Sequence, residues 1–169
     1  MSTRPPATAA DLLAFLDELG IATTTVDHEP VFTVEEARRL RGSLPGSHSK
    51  SLFLRNKKKQ MWLVTTDADR QIDLKRLGEA LGAGRIGFGS PERLMTYLGV
   101  IPGAVTPFGV INDPEGEVRV ALDREMLDTE PLNFHPLDNT KTTTISRGGL
   151  LQFLDATGHE PRMLEPEEF

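Results

Sequence analysis

Ser49-Lys-Ser-Leu-Phe-Leu-Arg55, Asn56-Lys-Lys-Lys59 and Met61-Trp-Leu-Val-Thr-Thr66 form the stretch on which the fold turns. Two apolar runs flank a polar, lysine-rich tip, which predicts a pair of strands joined as a hairpin. In a strand, alternate side chains share a face. Lys50 then lies beside Leu52 and Leu54, while Ser51, Phe53 and Arg55 point the other way. If the leucines face the core, Lys50 points into or along an apolar concavity. An ammonium there needs an anionic or polar partner, because burying it unpaired is costly. An edge strand with a snorkelling lysine stem fits the same pattern, and the pattern alone leaves both readings open.

Upstream, Leu12, Phe15, Leu16 and Leu19 recur at helical spacing. They predict a helix from about Ala9 to Leu19, capped by Thr8 and ended by Gly20. Thr23–Asp27 is rich in Thr and Val and reads as a strand. Thr33-Val-Glu-Glu36 fits a capping box, so a second helix should follow Thr33 and stop near Gly42. Downstream, Leu74–Leu81 reads as a helix, and Ser90-Pro91 as a cap and first turn leading into Glu92–Leu98. Phe108–Ile111 and Val118–Leu122 read as strands around the turn Asn112-Asp-Pro-Glu-Gly116. Thr140–Ile145 is a further strand. A last helix begins at Leu150–Leu154 and stops near Gly158, before an acidic tail, Glu165–Phe169, expected to fray. Helices and strands mix without strict alternation, so the expected class is α+β with a mixed, largely antiparallel sheet. A length of 169 residues suits one domain, 1–169, with its core at about 9–164.

Composition narrows the chemistry. Apolar residues at 38% and charged residues at 26% describe a soluble globular chain. The absence of cysteine excludes disulfides, thiol catalysis and Cys-based zinc sites, and makes the cytoplasm the expected compartment. Met1–Leu13 lacks the basic-then-apolar order of a signal peptide, and no apolar run approaches the ~18 residues of a membrane span. A net charge of −6 argues against DNA or broad nucleic-acid binding, so any RNA contact must use local basic patches. Gly82-Ala-Gly-Arg-Ile-Gly87 matches GxGxxG, but it follows a helix and precedes a short strand, the wrong context for a dinucleotide. His28, His48, His135 and His159 form no HxxxH pair, and Asp67, Asp69 and Asp73 lack the glycine and late glutamate of a calcium loop. No metal site is expected. Without Gly-x-Ser-x-Gly, a hydrolase built on this chain would work without a side-chain nucleophile.

Three more segments stand out: His28-Glu-Pro-Val-Phe-Thr-Val-Glu-Glu-Ala37, Gly99-Val-Ile-Pro-Gly-Ala-Val-Thr-Pro-Phe-Gly-Val-Ile-Asn-Asp113 and Asn133-Phe-His-Pro-Leu-Asp-Asn-Thr140. Gly99, Pro102, Gly103, Pro107 and Gly109 can hold backbone N–H groups in a fixed, exposed loop that binds a phosphate or a developing oxyanion. An ordinary structural turn has the same composition. His135 precedes Pro136, which disfavours a helical conformation there. Its imidazole can face a cleft or simply be a satisfied structural group. Asn139 and Thr140 can orient a polar ligand or only shape the turn.

Together with His48-Ser-Lys50, these segments resemble the YbaK/prolyl-tRNA-synthetase-associated editing family, from about Leu12 to Leu164. Within it the resemblance is strongest to the stand-alone, alanine-specific branch. The resemblance implies a mixed, partly closed sheet surrounded by helices. It also implies hydrolysis of alanine wrongly attached to proline tRNA, with no cofactor. Cysteine or serine as the removed amino acid, and a non-catalytic tRNA- or synthetase-binding module, are the alternatives. By the same resemblance, Lys50 matches the family lysine that holds the 3′-terminal adenosine. Gly103 lies in the glycine-rich loop that fixes the aminoacyl carbonyl, and His135 lines the amino-acid pocket. Val31, Phe32, Thr33, Val100, Pro102 and Ala104, with Asn139 and Thr140, are the candidates for substrate contact. Arg38, Arg39 and Arg41 in the second helix, and Arg55, Lys57, Lys58 and Lys59 at the hairpin, are the candidates for the tRNA backbone. Such clusters are more often only solvated faces. The implied partners are the acceptor end of proline tRNA and, as a further candidate, prolyl-tRNA synthetase.

Overall fold

The computed structural model of the chain describes residues 5–30, 39, 44 and 46–169. Its strands are β1 (Thr23–Asp27), β2 (Ser47–Asn56), β3 (Met61–Asp67), β4 (Ile86–Phe88), β5 (Val118–Asp123), β6 (Leu132–Phe134), β7 (Lys141–Ile145) and β8 (Arg162–Leu164). The described helices are α1 (Ala9–Glu18), α2 (Leu74–Ala80), α3 (Pro91–Leu98), α4 (Arg124–Leu127) and α5 (Arg147–Ala156). The strands form one sheet in the order β1-β7-β6-β2-β3-β5-β8, with β4 beside β2. Four ladders are antiparallel, and the β2–β6, β3–β5 and β5–β8 ladders are parallel. The α+β class with a mixed sheet is therefore correct, and the antiparallel majority is narrow.

The predicted hairpin is the hub. Its register sets Lys50 opposite Thr66 and Phe53 opposite Leu63. Every residue from Met61 to Thr66 is buried, because both faces of β3 are covered. Met61 and Leu63 join a large apolar cluster with Phe53, closed by Leu12 and Leu16 of α1, Leu94 and Leu98 of α3, and Phe153 of α5. Trp62 and Val64 join Leu54 in a smaller cluster on the opposite face, under Leu77 of α2. In the larger cluster the Phe108 ring meets Phe134 and Phe153 edge-on at 5.8 and 5.3 Å, the arrangement that aromatic quadrupoles favour.

Most local signals hold. Thr8 and Asp11 form a reciprocal capping box on α1, and Ser90 caps α3 with Pro91 in its first turn. Three expectations need correction. Phe108–Ile111 is no strand: Pro107–Asn112 forms a 3-10 helix, started by proline and by the Thr106 hydroxyl that accepts the Phe108 N–H. The last helix begins at Arg147 rather than Leu150, because Ser146 caps it through the Gly149 N–H. Gly149 is required there, since a Cβ would stand 2.8 Å from Ile21 and 2.9 Å from Ile145. The acidic tail does not fray: Phe169 is buried in the smaller cluster. The helix expected after Thr33 falls almost wholly outside the described residues. No helix among the described residues is long and apolar enough to cross a membrane.

Candidate active site

The larger cluster takes Phe53, Leu132, Phe134 and Ile145. Strand alternation then sends His48, Lys50 and Asn133 to the opposite face. The parallel ladder pairs Ser47 with Leu132 and His48 with Asn133. Its bonding is prolonged by the Ser49 hydroxyl, which donates to the Asn133 carbonyl at 3.1 Å. The ladder ends at His48 and Asn133, two residues before Lys50 and His135. β6 leaves β2 after His48, and β4 joins it only from Leu54, so the edge of β2 around Lys50 is not paired in a ladder on that side.

Lys50 is half-buried, and its Nζ donates to the main-chain carbonyl of Arg70, in the loop after β3. The polar partner that the sequence pattern demanded is therefore a backbone oxygen. An ammonium has three donors, and among the described residues this carbonyl takes one of them.

His135 is fixed differently. Its Nδ1 lies 2.9 Å from the Lys141 carbonyl. A carbonyl only accepts, so Nδ1 carries the proton and Nε2 keeps a lone pair in the neutral ring. Burial holds the imidazole below its ordinary pKa, the nearby His28 adds to this, and the Lys141 carbonyl and Asp138 work against it. The His28 ring sits 6.2 Å away. It is tied by Nδ1 to the Glu29 carbonyl and by Nε2 to the Thr142 hydroxyl, each at 2.8 Å. His28 was legible only as part of the His28–Ala37 motif; its pairing with His135 depends on β1 lying against β7.

The turn that carries His135 also meets the glycine loop. Asn139 is 9% exposed, and its Nδ2 would lie 3.3 Å from a Cβ built on Gly103. Among the described residues the Asn139 carboxamide has no hydrogen-bond partner. Gly103 is exposed and is the middle residue of a three-residue 3-10 turn, Pro102–Ala104, that has no side-chain cap. Ala104 donates to Ile101, and proline has no N–H, so the Gly103 amide is the leading uncapped donor. Val100 and Ala104 are 2% and 1% exposed and pack in the larger cluster, anchoring this loop from beneath. Thr140 is occupied: its hydroxyl and N–H both reach the Asp138 carboxylate, at 2.6 and 2.8 Å, and hold that carboxyl below its usual pKa. It shapes the turn.

Val31, Phe32, Thr33, Arg38 and Arg41 lie outside the described residues, and Arg39 is exposed. Lys57, Lys58 and Lys59 are exposed at the hairpin tip, with Arg55 half-buried beside them. Lys57 and Lys58 line a groove with Gly82–Arg85, the former GxGxxG match. Among the described residues no three His, Asp or Glu side chains gather as a metal site would require.

Residues 28–153 match the model of the aminoacyl-tRNA editing domain. The chain belongs to the aminoacyl-tRNA editing domain family. It is 38% identical to the prolyl-tRNA editing protein ProX of Acetoanaerobium sticklandii, over 91% of this chain and 94% of that one. It is 41% identical to a prolyl-tRNA synthetase associated domain-containing protein of Mus musculus, over 92% and 94%. A multifunctional Ser/Thr-tRNA deacylase of Escherichia coli is 30% identical, over 69% of this chain and 77% of its own. Among solved structures, a candidate trans-editing enzyme for prolyl tRNA synthetase shares the fold at a TM-score of 0.70 and 22% identity, covering 94% of this chain and 97% of that one. The family match spans the His28, Lys50, Gly103 and His135 positions together.

Proposed function

We propose that this editing-domain protein is an aminoacyl-tRNA hydrolase that removes alanine wrongly attached to proline tRNA. The observation that carries the reading is the placement of Lys50 and His135 each two residues beyond the last β2–β6 pair, His48–Asn133, with Gly103 against Asn139 of the turn that carries His135. An ammonium suits a phosphate at the RNA 3′ end. The Gly103 N–H suits the ester carbonyl, on which negative charge grows as water attacks. The lone pair of His135 Nε2 accepts from the substrate's α-ammonium, and the Asn139 carboxamide orients the acyl group. Water adds to the ester carbon, the tetrahedral intermediate collapses, and the ribose oxygen leaves with a proton. The free neighbouring ribose hydroxyl positions the water. The protein contributes placement and fixed dipoles, with no side-chain nucleophile. RNA reached through the hairpin lysines, and a cytoplasmic setting, belong to the same proposal.

A proline site rejects the smaller alanine weakly, since each missing methylene is worth only about 1–3 kcal/mol. A second, smaller pocket completes the discrimination by size. The serine alternative is kept because the E. coli relative carries a Ser/Thr-tRNA deacylase name and because the Asn139 amide, with no partner among the described residues, can serve a side-chain hydroxyl. Deacylation of a panel of proline tRNAs charged with alanine, serine, threonine, cysteine or proline is the test. Alanine released fastest and proline retained is the expected pattern. Faster release of serine or threonine would move the substrate assignment, and hydrolysis of prolyl-tRNA at the alanyl rate would overturn the size argument.

A further inference from the structure

We infer that Arg70 and Asp123 form a positioning latch that aims the Lys50 ammonium. The inference rests on the role given to Lys50 above, and it assigns work to two residues that touch no substrate.

The latch is built from the loop after β3. The Arg70 guanidinium forks onto Asp123, with Nε to Oδ2 at 2.7 Å and Nη2 to Oδ1 at 3.2 Å. The same Nη2 reaches Glu125 at 2.8 Å. Asp123 ends β5 and is fully buried. Its Oδ2 also accepts the Asp67 N–H at 3.1 Å, and its Oδ1 accepts the Glu125 N–H at 3.1 Å, capping α4. One carboxylate thus fixes both ends of Asp67–Arg70. The stretch is further tied by the Ala68 N–H to the His48 carbonyl at 2.8 Å and the Arg70 N–H to the Asp67 carbonyl at 3.1 Å. The guanidinium also lies 4.8 Å over the Phe169 ring.

The Arg70 carbonyl, held from so many sides, is the atom that receives Lys50. A lysine stem has four rotatable bonds, and ordering its head costs rotamer entropy. An acceptor already fixed by a buried ion pair lets that ordering precede substrate binding. The fork also explains why arginine stands at position 70: lysine supplies a point charge but cannot make two parallel bonds to one carboxylate. A merely structural role, closing β3 against β5, would make no reference to Lys50.

Arg70→Met keeps an apolar side chain and removes both the fork and the guanidinium over Phe169. It should lower kcat/KM for alanyl-tRNA about tenfold in the parent. In the Lys50→Ala background, followed by single turnover at high enzyme, the same change should alter the rate less than about twofold, because the group it positions is gone. An equal fold-loss in both backgrounds would assign Arg70 to stability alone and overturn the latch. Should Arg70→Met not fold, Arg70→Lys, which keeps a cation for Asp123, is put through the same cycle. Selective ¹⁵N labelling of lysine adds a readout independent of activity. The Lys50 ammonium should give a signal protected from exchange in the parent and broadened in the Arg70 variant, and an unchanged signal would also overturn the latch. If Lys50→Ala keeps full activity while that signal still depends on Arg70, the catalytic reading of Lys50 fails and the latch stands.

Discussion

On one face of β2, Phe53 packs with Leu63, Leu94 and Leu98; on the other, three positions along the same strand, Lys50 donates to the Arg70 carbonyl. Both side chains are held in place, by different physics. Phe53 is held by area and shape, which any close-packed apolar neighbours supply. Lys50 is held by one directional bond to an oxygen that other groups must fix first. The strand is a scaffold where it is flanked by β3 and β4, and the proposed site lies where β6 leaves it and the edge beside Lys50 goes unpaired.

Two substitutions should separate these faces. Phe53→Ala leaves a cavity in the larger cluster and should destabilise the fold by about 3–5 kcal/mol. For a chain of this size that is a fall in melting temperature on the order of 10 °C, readable by calorimetry. Lys50→Ala removes a half-exposed head group and should change stability by less than about 1 kcal/mol, while reducing kcat/KM on alanyl-tRNA by about 10²–10³, the range seen when one charge-stabilising donor is removed. A Lys50→Ala protein that melts as early as Phe53→Ala would erase the contrast, because the loss of activity would then be a loss of fold.

The contrast sharpens with pH. Burial depresses His135 below the ordinary 6.5 of a histidine. As pH falls through that value the unfolded chain takes up a proton and the folded chain does not, so stability drops on acidification below about 6.5 and is complete above it. His135→Asn should flatten that part of the melting-temperature profile between pH 7.5 and 5.5. Phe53→Ala should lower the profile without changing its slope there. A parent and a His135→Asn variant with the same slope would remove the buried, neutral imidazole from the description.

What could be read in advance divides along the same line. The hairpin, the caps at Thr8 and Ser90, and the strands at Thr23 and Val118 were legible because each depends on residues within one turn or one alternation of each other. Phe108–Ile111 misled because an apolar run of four does not distinguish a strand from a 3-10 turn, and the decision lay with Thr106 and Pro107 just before it. The three-residue strands β6 and β8 were missed since each exists only by docking on a longer neighbour. For the candidate site, Lys50, Gly103, His135 and Asn139 were singled out through motifs and through resemblance. Val100 and Ala104 were read as candidates for substrate contact, but small apolar residues in a glycine loop serve equally as its anchor. Arg70 and Asp123 lie 53 residues apart, and nothing local in either segment announces the fork between them.

Gly103→Ala has the smallest effect and tests the geometry most finely. Gly103 does not have a left-handed φ, so a side chain is not excluded by backbone strain. The new Cβ would meet Asn139 Nδ2 at 3.3 Å, tight enough that the carboxamide must give by a few tenths of an ångström. The main-chain N–H stays in place. If Gly103 acts only through that amide, alanine should be nearly neutral. If the amide and the Asn139 carboxamide act together on the acyl group, the shift should lower kcat/KM a few-fold, roughly 1 kcal/mol, with the melting temperature unchanged. Asn139→Ala in the Gly103→Ala background then decides the matter. Relief of the contact without recovery of rate means that the carboxamide itself orients the substrate, and full recovery means that it was only in the way.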